Sequence, residues 1–148
     1  MSGFLIDTNV ISLFAPARAK ASEPFAGWMS EQETADALFL SAVTVHEIEK
    51  GVRLLETKGA TAKAEAIRFW LLGLISTYSD RILAMDSDVA MIAGELEAKA
   101  ISSGHNPGMA DAIIAGTAKA HGLSVVTWNV KDFVPFGVEA ISPDEAAR

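Results

Sequence analysis

The sequence predicts an α/β domain with a central, mostly parallel sheet and helices on both of its faces. Short runs of bulky apolar residues alternate with segments of helical period along the whole chain. These runs are continuous rather than alternately polar, as strands covered on both faces must be. The 148 residues, half of them hydrophobic, also contain no repeat, low-complexity tract or linker that would divide them. Residues 1–148 are therefore expected to form one domain, burying about two-thirds of its unfolded surface.

The first strand, Phe4 to Ile6, breaks directly into Asp7, Thr8 and Asn9 ahead of a short helix from Val10 to Phe14. Ligands of parallel sheets sit at the carboxyl ends of strands, although these residue types also cap helices. A loop over Ala15 to Ala21, with Pro16, Arg18 and Lys20, leads to a helix from Pro24 to Ser30. Ser22 caps that helix, and Phe25 and Trp28 share one of its faces. The second strand, Leu38 to Val43, ends at Thr44 and runs into a helix with the stripe Ile48, Val52 and Leu55. Gly59 stops this helix and Thr61 caps the next, a long one from Ala62 to Tyr78. Its face carries Ile67, Trp70, Leu71 and Leu74, and the apolar excess around Trp70 to Ile75 is more than one buried stripe needs. Such an excess implies either a wholly buried helix or a contact with a subunit or partner.

Ile82 to Met85 is a third strand, and Asp86, Ser87 and Asp88 cap a helix bearing Val89, Ile92, Ala93, Leu96 and Ala100. After a loop from Ser103 to Gly108 comes a small apolar helix, Met109 to His121, ended by Gly122. Leu123 to Thr127 is another buried strand, and a last apolar piece, Val138 to Ile141, precedes an alanine-rich polar tail.

Composition narrows the function. The absence of cysteine removes disulfides, thiolate ligands and thiol nucleophiles, and suits a reducing cytosol. Asp7 arrives before any apolar leader core could form, so no secretory signal is expected. The longest apolar stretch, Phe69 to Ile75, is far short of the roughly 20 residues a membrane span needs, so a cytoplasmic protein is expected. A net charge of −7 counts against a simple nucleic-acid binder. It is compatible with an enzyme whose acids are gathered in one site around a metal, with basic residues at the rim.

Each candidate residue has a structural reading when taken singly. Asp7 is a cap; Glu47 closes the capping box Thr44-Val45-His46-Glu47; Asn129 is a turn residue and Asp132 a loop acid. Asp111 is harder to explain so, because its helix is apolar on nearly every side and no basic residue stands three or four positions away. Its structural reading is a first-turn acid stabilised by the helix dipole. Taken together, Asp7, Glu47, Asp111 and Asn129 or Asp132 each follow a strand or open a helix, so doubly wound topology can bring them to one edge. Crowded carboxylates repel one another unless a cation joins them. An all-oxygen set selects a hard ion, Mg²⁺ or Mn²⁺, which serves phosphoryl chemistry. His46 and His105 receive no role, and His121 meets the dipole at a helix end.

With these residues placed, the sequence resembles the PIN-domain family, in particular the toxin ribonucleases of VapBC modules and the FitB-like members beside them. The resemblance rests on Phe4-Leu5-Ile6-Asp7-Thr8-Asn9-Val10, on Leu40 through Ile48 with Gly51 following, on Ala110-Asp111-Ala112-Ile113-Ile114-Ala115, and on Val126-Thr127-Trp128-Asn129 with Asp132-Phe133. It implies a PIN-like three-layer fold in which Asp7, Glu47 and Asp111 are the acidic metal-site residues, supported by Thr8 or Asn9. It also implies a Mg²⁺-dependent endoribonuclease, a homodimer, and a small antitoxin protein with a DNA-binding domain that covers the site with its C-terminal tail. Two positions depart from the family pattern. Asn129 stands where many members carry a fourth aspartate, with Asp132 three residues on as a substitute, and Trp128 stands at a frequently basic position.

Lys50, Arg53 and Lys131 are the candidates for meeting RNA phosphates. Two other readings compete. An aspartyl-phosphate phosphatase of the haloacid-dehalogenase type also begins with a strand ending in aspartate, but Asn9 occupies the place of its second aspartate. A FitB-like regulatory module, held on DNA by its partner and cleaving little or nothing, is the alternative from another class.

Overall fold

The computed structural model describes residues 3–16 and 20–148, so Arg18 of the predicted loop lies outside the described residues. The elements, in order, are β1 (Phe4–Ile6), α1 (Thr8–Ile11), α2 (Glu23–Thr34), β2 (Leu38–Ser41), α3 (Ala42–Thr57), α4 (Thr61–Tyr78), β3 (Ile82–Leu83), α5 (Ser87–Ser102), α6 (Met109–His121), β4 (Ser124–Val126), α7 (Val130–Phe133), β5 (Ala140–Ile141) and α8 (Pro143–Ala146). Single 3-10 turns extend α1, α4 and α7.

The strands form one sheet in the order β3-β2-β1-β4-β5, and every pairing is parallel. Successive strand residues alternate between two cores, as the period of two requires. Ile6, Leu38, Leu40 and Val126 pack with residues of α1 to α4 on one face. Leu5 and Val125 pack with α5, α6 and the α7 region on the other. The continuous apolar runs thus have a physical cause, since each strand is covered twice. The chain leaves β1 toward β2 and later returns to β4 on its other side, which puts a topological switch point between β1 and β4.

Several helix ends form as the sequence implies. Ser22 accepts from the Phe25 amide at 3.3 Å, Asp86 accepts from the Val89 amide at 2.9 Å, and Gly122 closes α6 in the left-handed region at φ 66°. Three differ. α2 continues to Thr34, beyond Ser30. β2 stops at Ser41, whose hydroxyl accepts from the Val43 amide at 3.1 Å, so Ala42 and Val43 are already helical and Thr44 is no cap. Thr61 is the first residue of α4 rather than its cap, because Gly59, at φ 83°, turns the chain one step earlier. The polar tail also contains a short helix, α8, capped by Ser142.

Helix α4 buries Ala64, Ile67, Leu71 and Tyr78 but leaves Phe69 81% and Leu72 59% exposed. It is therefore not wholly buried, and its apolar excess faces outward. On the opposite side of the sheet α5 lies directly against α6. A β-carbon on Gly116 would stand 2.9 Å from the backbone nitrogen, Cα and Cβ of Ala93, so the absence of a side chain there sets how closely the two helices approach. Among the described residues, no helix is long and apolar enough to cross a membrane.

Candidate active site

β1 delivers Asp7 to the carboxyl edge of the sheet at the switch point. Asp7 is 5% exposed and also caps α1, since its Oδ1 accepts from the Thr8 amide at 2.8 Å. The Thr127 hydroxyl, fully buried at the end of β4, donates to Asp7 Oδ2 at 2.7 Å. The parallel register that sets Ile6 beside Val126 makes this pair adjacent. Both oxygens of the carboxylate are thereby oriented by the two strands that flank the switch point. The Asn129 amide in turn donates to the Thr127 hydroxyl at 3.0 Å.

Because α3 begins three residues earlier than the sequence implies, Thr44 lies inside its first turn and Glu47 in its second, and they form no capping box. Thr8 Oγ1 lies 2.6 Å from Glu47 Oε1 and 2.9 Å from Thr44 Oγ1. With one proton on each hydroxyl, the consistent arrangement is Thr44 donating to Thr8 and Thr8 donating to Glu47. A buried hydroxyl on α3 and a half-buried one on α1 therefore aim the carboxylate. The Asn9 carboxamide is used elsewhere, accepting from the Trp128 amide at 3.4 Å.

Asp111 opens α6, which runs back toward the start of β4 and so presents its first turn at the same edge. The side chain is half-buried rather than enclosed. Its pKa is pushed up to about 6, by burial first and then by the charges of Asp7, Asp132 and Glu47. Asp7 is also held above the usual carboxylate range by burial, against the lowering effect of its bonds from Thr127 and Thr8, with Glu47 and Asp132 adding to the rise. Asp132, exposed on α7, thus bears on both Asp7 and Asp111. The Asn129 side chain, exposed beside it, makes no cap bond to α7. Lys131 shares a hollow with Asp111 and Asp132, and Lys50 lines two hollows that include Glu47. Arg53 is not at the site: it pairs with Glu49 at 3.0 Å and Glu56 at 3.4 Å along the outer face of α3.

The donor set is all oxygen, suited to a hard divalent cation, which commonly takes one or two carboxylates and fills its other positions with water. Mutual repulsion and burial are what such an ion relieves, so the residues fit. Among the described residues, no three His, Cys, Asp or Glu side chains already converge as an ion cage.

The raised Asp111 pKa has a consequence for stability. An acid whose pKa rises on folding, here from an ordinary 3.8 to about 6, costs nothing below pH 4, progressively more between pH 4 and 6, and most above 6. Discounted for partial exposure, that cost is about 1 kcal/mol. Asp111→Asn should therefore raise Tm by about 3 °C at pH 7.5 without added divalent cation, and the gain should vanish at pH 4. Calorimetry at the two pH values checks it.

The PIN domain profile matches residues 4–134. Toxin FitB of Neisseria gonorrhoeae (strain ATCC 700825 / FA 1090) is 35% identical over 140 residues, covering 94% of this chain and 96% of that protein. VapC ribonuclease Y4jK of Sinorhizobium fredii (strain NBRC 101917 / NGR234) is 33% identical over 144 residues, covering 97% and 99%. The solved structure of FitAB bound to an IR36 DNA fragment contains a chain that superposes with a TM-score of 0.73 at 31% identity, covering 95% of this chain and 94% of that one.

Proposed function

The chain belongs to the PIN-domain family, and from that premise we propose that it is the single-domain toxin of a type II toxin–antitoxin module, acting in the cytoplasm as a metal-dependent endoribonuclease on RNA phosphodiester bonds. The observation that carries this reading is the link through Thr8 that ties Asp7 and Glu47 together at one sheet edge, where the charges of Glu47 and Asp132 also raise Asp7 and Asp111. The 33% identity to a protein named as a ribonuclease supports it.

In this reading Asp7, Asp111 and Glu47 hold Mg²⁺, with Mn²⁺ as the substitute. Asn129 or Asp132 completes the site, and of the two Asp132 brings a charge that raises Asp7 and Asp111. When bound, the ion supplies Lewis acidity and offsets the negative charge that builds on a phosphate under attack. The protein's own part is to fix its acids in place: Thr127 and the Thr8 amide orient Asp7, and Thr44 through Thr8 orients Glu47. Lys50 and Lys131 meet the flanking phosphates. A small antitoxin with a DNA-binding domain is the proposed partner, and a homodimer the proposed assembly. The groove between α3 and α4, lined by Leu55, Ile67 and Trp70 and reaching Glu47 and Thr8, would let an apolar antitoxin segment cover the site.

The test is cleavage of mixed RNAs by the purified protein with Mg²⁺, with Mn²⁺ and with chelator. Metal-dependent cutting supports the reading. No turnover with either ion, alongside tight partner binding, favours the FitB-like regulatory alternative, which the 35% identity to FitB and the presence of Asn129 keep open. Thr8→Val, which keeps the shape but removes the link to Glu47, should lower kcat about tenfold with KM unchanged, the scale of one hydrogen bond to a charged group. Thr8→Ser should restore most of it, as single-turnover kinetics will show.

A further inference from the structure

Three successive amides hold the turn that leaves β4. The Thr127 amide donates to the Ile141 carbonyl at 3.0 Å, the Trp128 amide to the Asn9 carboxamide at 3.4 Å, and the Asn129 amide to the Thr127 hydroxyl at 3.0 Å. That hydroxyl is the one that bonds Asp7, so the turn is built onto the acidic edge. The side chain at its centre is an indole, 45% exposed. The other two tryptophans serve the fold: Trp28 packs on Phe4 and Phe25, and Trp70 on the core shared by α1 to α4. Trp128 belongs to neither core, and among the described residues no aromatic ring pairs with it. A lone exposed apolar side chain is ordinary on a protein surface. One whose backbone is pinned on both sides, next to the residue that orients Asp7, is a fixed platform at the site.

We propose that Trp128 is a substrate-binding residue whose indole stacks on a base of the bound RNA, so that the substrate is gripped there by an uncharged contact. The inference rests on the ribonuclease reading and adds to it the source of the affinity. A chain of net charge −7 gains little from long-range attraction to a polyanion. Lys50 and Lys131 are the only lysines or arginines lining the hollows that include Glu47, Asp111 or Asp132, so phosphate contacts at the site are few. Stacking does not depend on that charge balance, and it tolerates any base because every base has a π-face. The held backbone lowers the ordering cost of binding, and an indole has only two side-chain torsions left to fix.

The experiment measures KM and kcat across a range of salt on a short labelled RNA that the wild-type protein cuts, for Trp128→Ala, Trp128→Phe and Trp128→Arg. The alanine variant should raise KM about tenfold, the scale of one stacked base, with kcat unchanged. Phenylalanine, which still stacks, should keep most of the affinity. Because the lost contact is uncharged, the slope of log KM against log salt should be the same for alanine as for wild type. Arginine adds a phosphate contact and should steepen that slope by about 0.7 on a single strand. RNA should also quench tryptophan emission in wild type and far less in the phenylalanine variant. An alanine variant with the wild-type KM overturns the proposal. So does a loss confined to kcat, which assigns Trp128 to the shape of the turn, or a shallower salt slope, which assigns it to a charged contact. If wild type cuts no RNA with Mg²⁺ or Mn²⁺, the nuclease reading fails separately. The quenching titration then decides: quenching that requires Trp128 upholds the contact, and its absence overturns it.

Discussion

Asp7→Asn should reduce RNA cleavage on the order of 10³-fold or more, about 4 kcal/mol in the barrier, while leaving the fold intact. Asparagine retains a carbonyl oxygen for the bond from the Thr8 amide or the Thr127 hydroxyl, and it is as good a helix cap as aspartate. What it lacks is the charge. Since burial and neighbouring acids already hold Asp7 above the usual carboxylate range, the neutral replacement relieves repulsion. Circular dichroism should therefore show an unchanged spectrum and a melting temperature no lower than that of wild type. In parallel, the rise in Tm on adding millimolar Mg²⁺ or Mn²⁺ to wild type should be absent from the variant, because an ion stabilises only the state that binds it. Cleavage surviving at the wild-type rate would remove Asp7 from the chemistry, and a wild-type Tm indifferent to both ions would remove the metal.

Gly116→Val should destabilise the protein by about 3 kcal/mol, at the upper end of overpacking costs. The new β-carbon would press at 2.9 Å on the backbone of Ala93, and a backbone atom cannot turn aside as a side chain can. Helices α5 and α6 must then separate, opening the core that contains Leu96, Ala112 and Ala115. A fall in Tm of about 10 °C follows for a chain of this length. Gly73→Ala on α4 is the matched control: nothing lies within 4 Å of its added carbon, so helix propensity alone acts and Tm should rise slightly.

The strands and most helices were legible because apolar period and capping chemistry are local. Met109–His121 coincides with its expected bounds, for example, with Gly122 as its stop. The start of α3 was not, because Ala42 and Val43 continue the apolar run of β2. The deciding event is the short bond between Ser41 and the Val43 amide, which competes with a plausible cap three residues later. That displacement turned Thr44 from an apparent cap into the far end of a hydroxyl chain to Glu47. Thr127 escaped notice for another reason. Its partnership with Asp7 spans the length of the chain and follows from β1 pairing with β4, and a threonine after two valines signals only a strand end. Placing β1 beside β4 on the switch-point rule would have revealed it. The choice between Asn129 and Asp132 depends on how one short helix turns after β4, which the apolar period does not fix.

The partnership of β1 with β4 also bears on synthesis. A ribosome making this protein must add 120 residues after Asp7 before the threonine that steadies it exists. Polypeptides that stop short of Thr127 lack both that bond and the β4 strand that positions it, so the oriented Asp7 carboxylate forms only once β4 has been made.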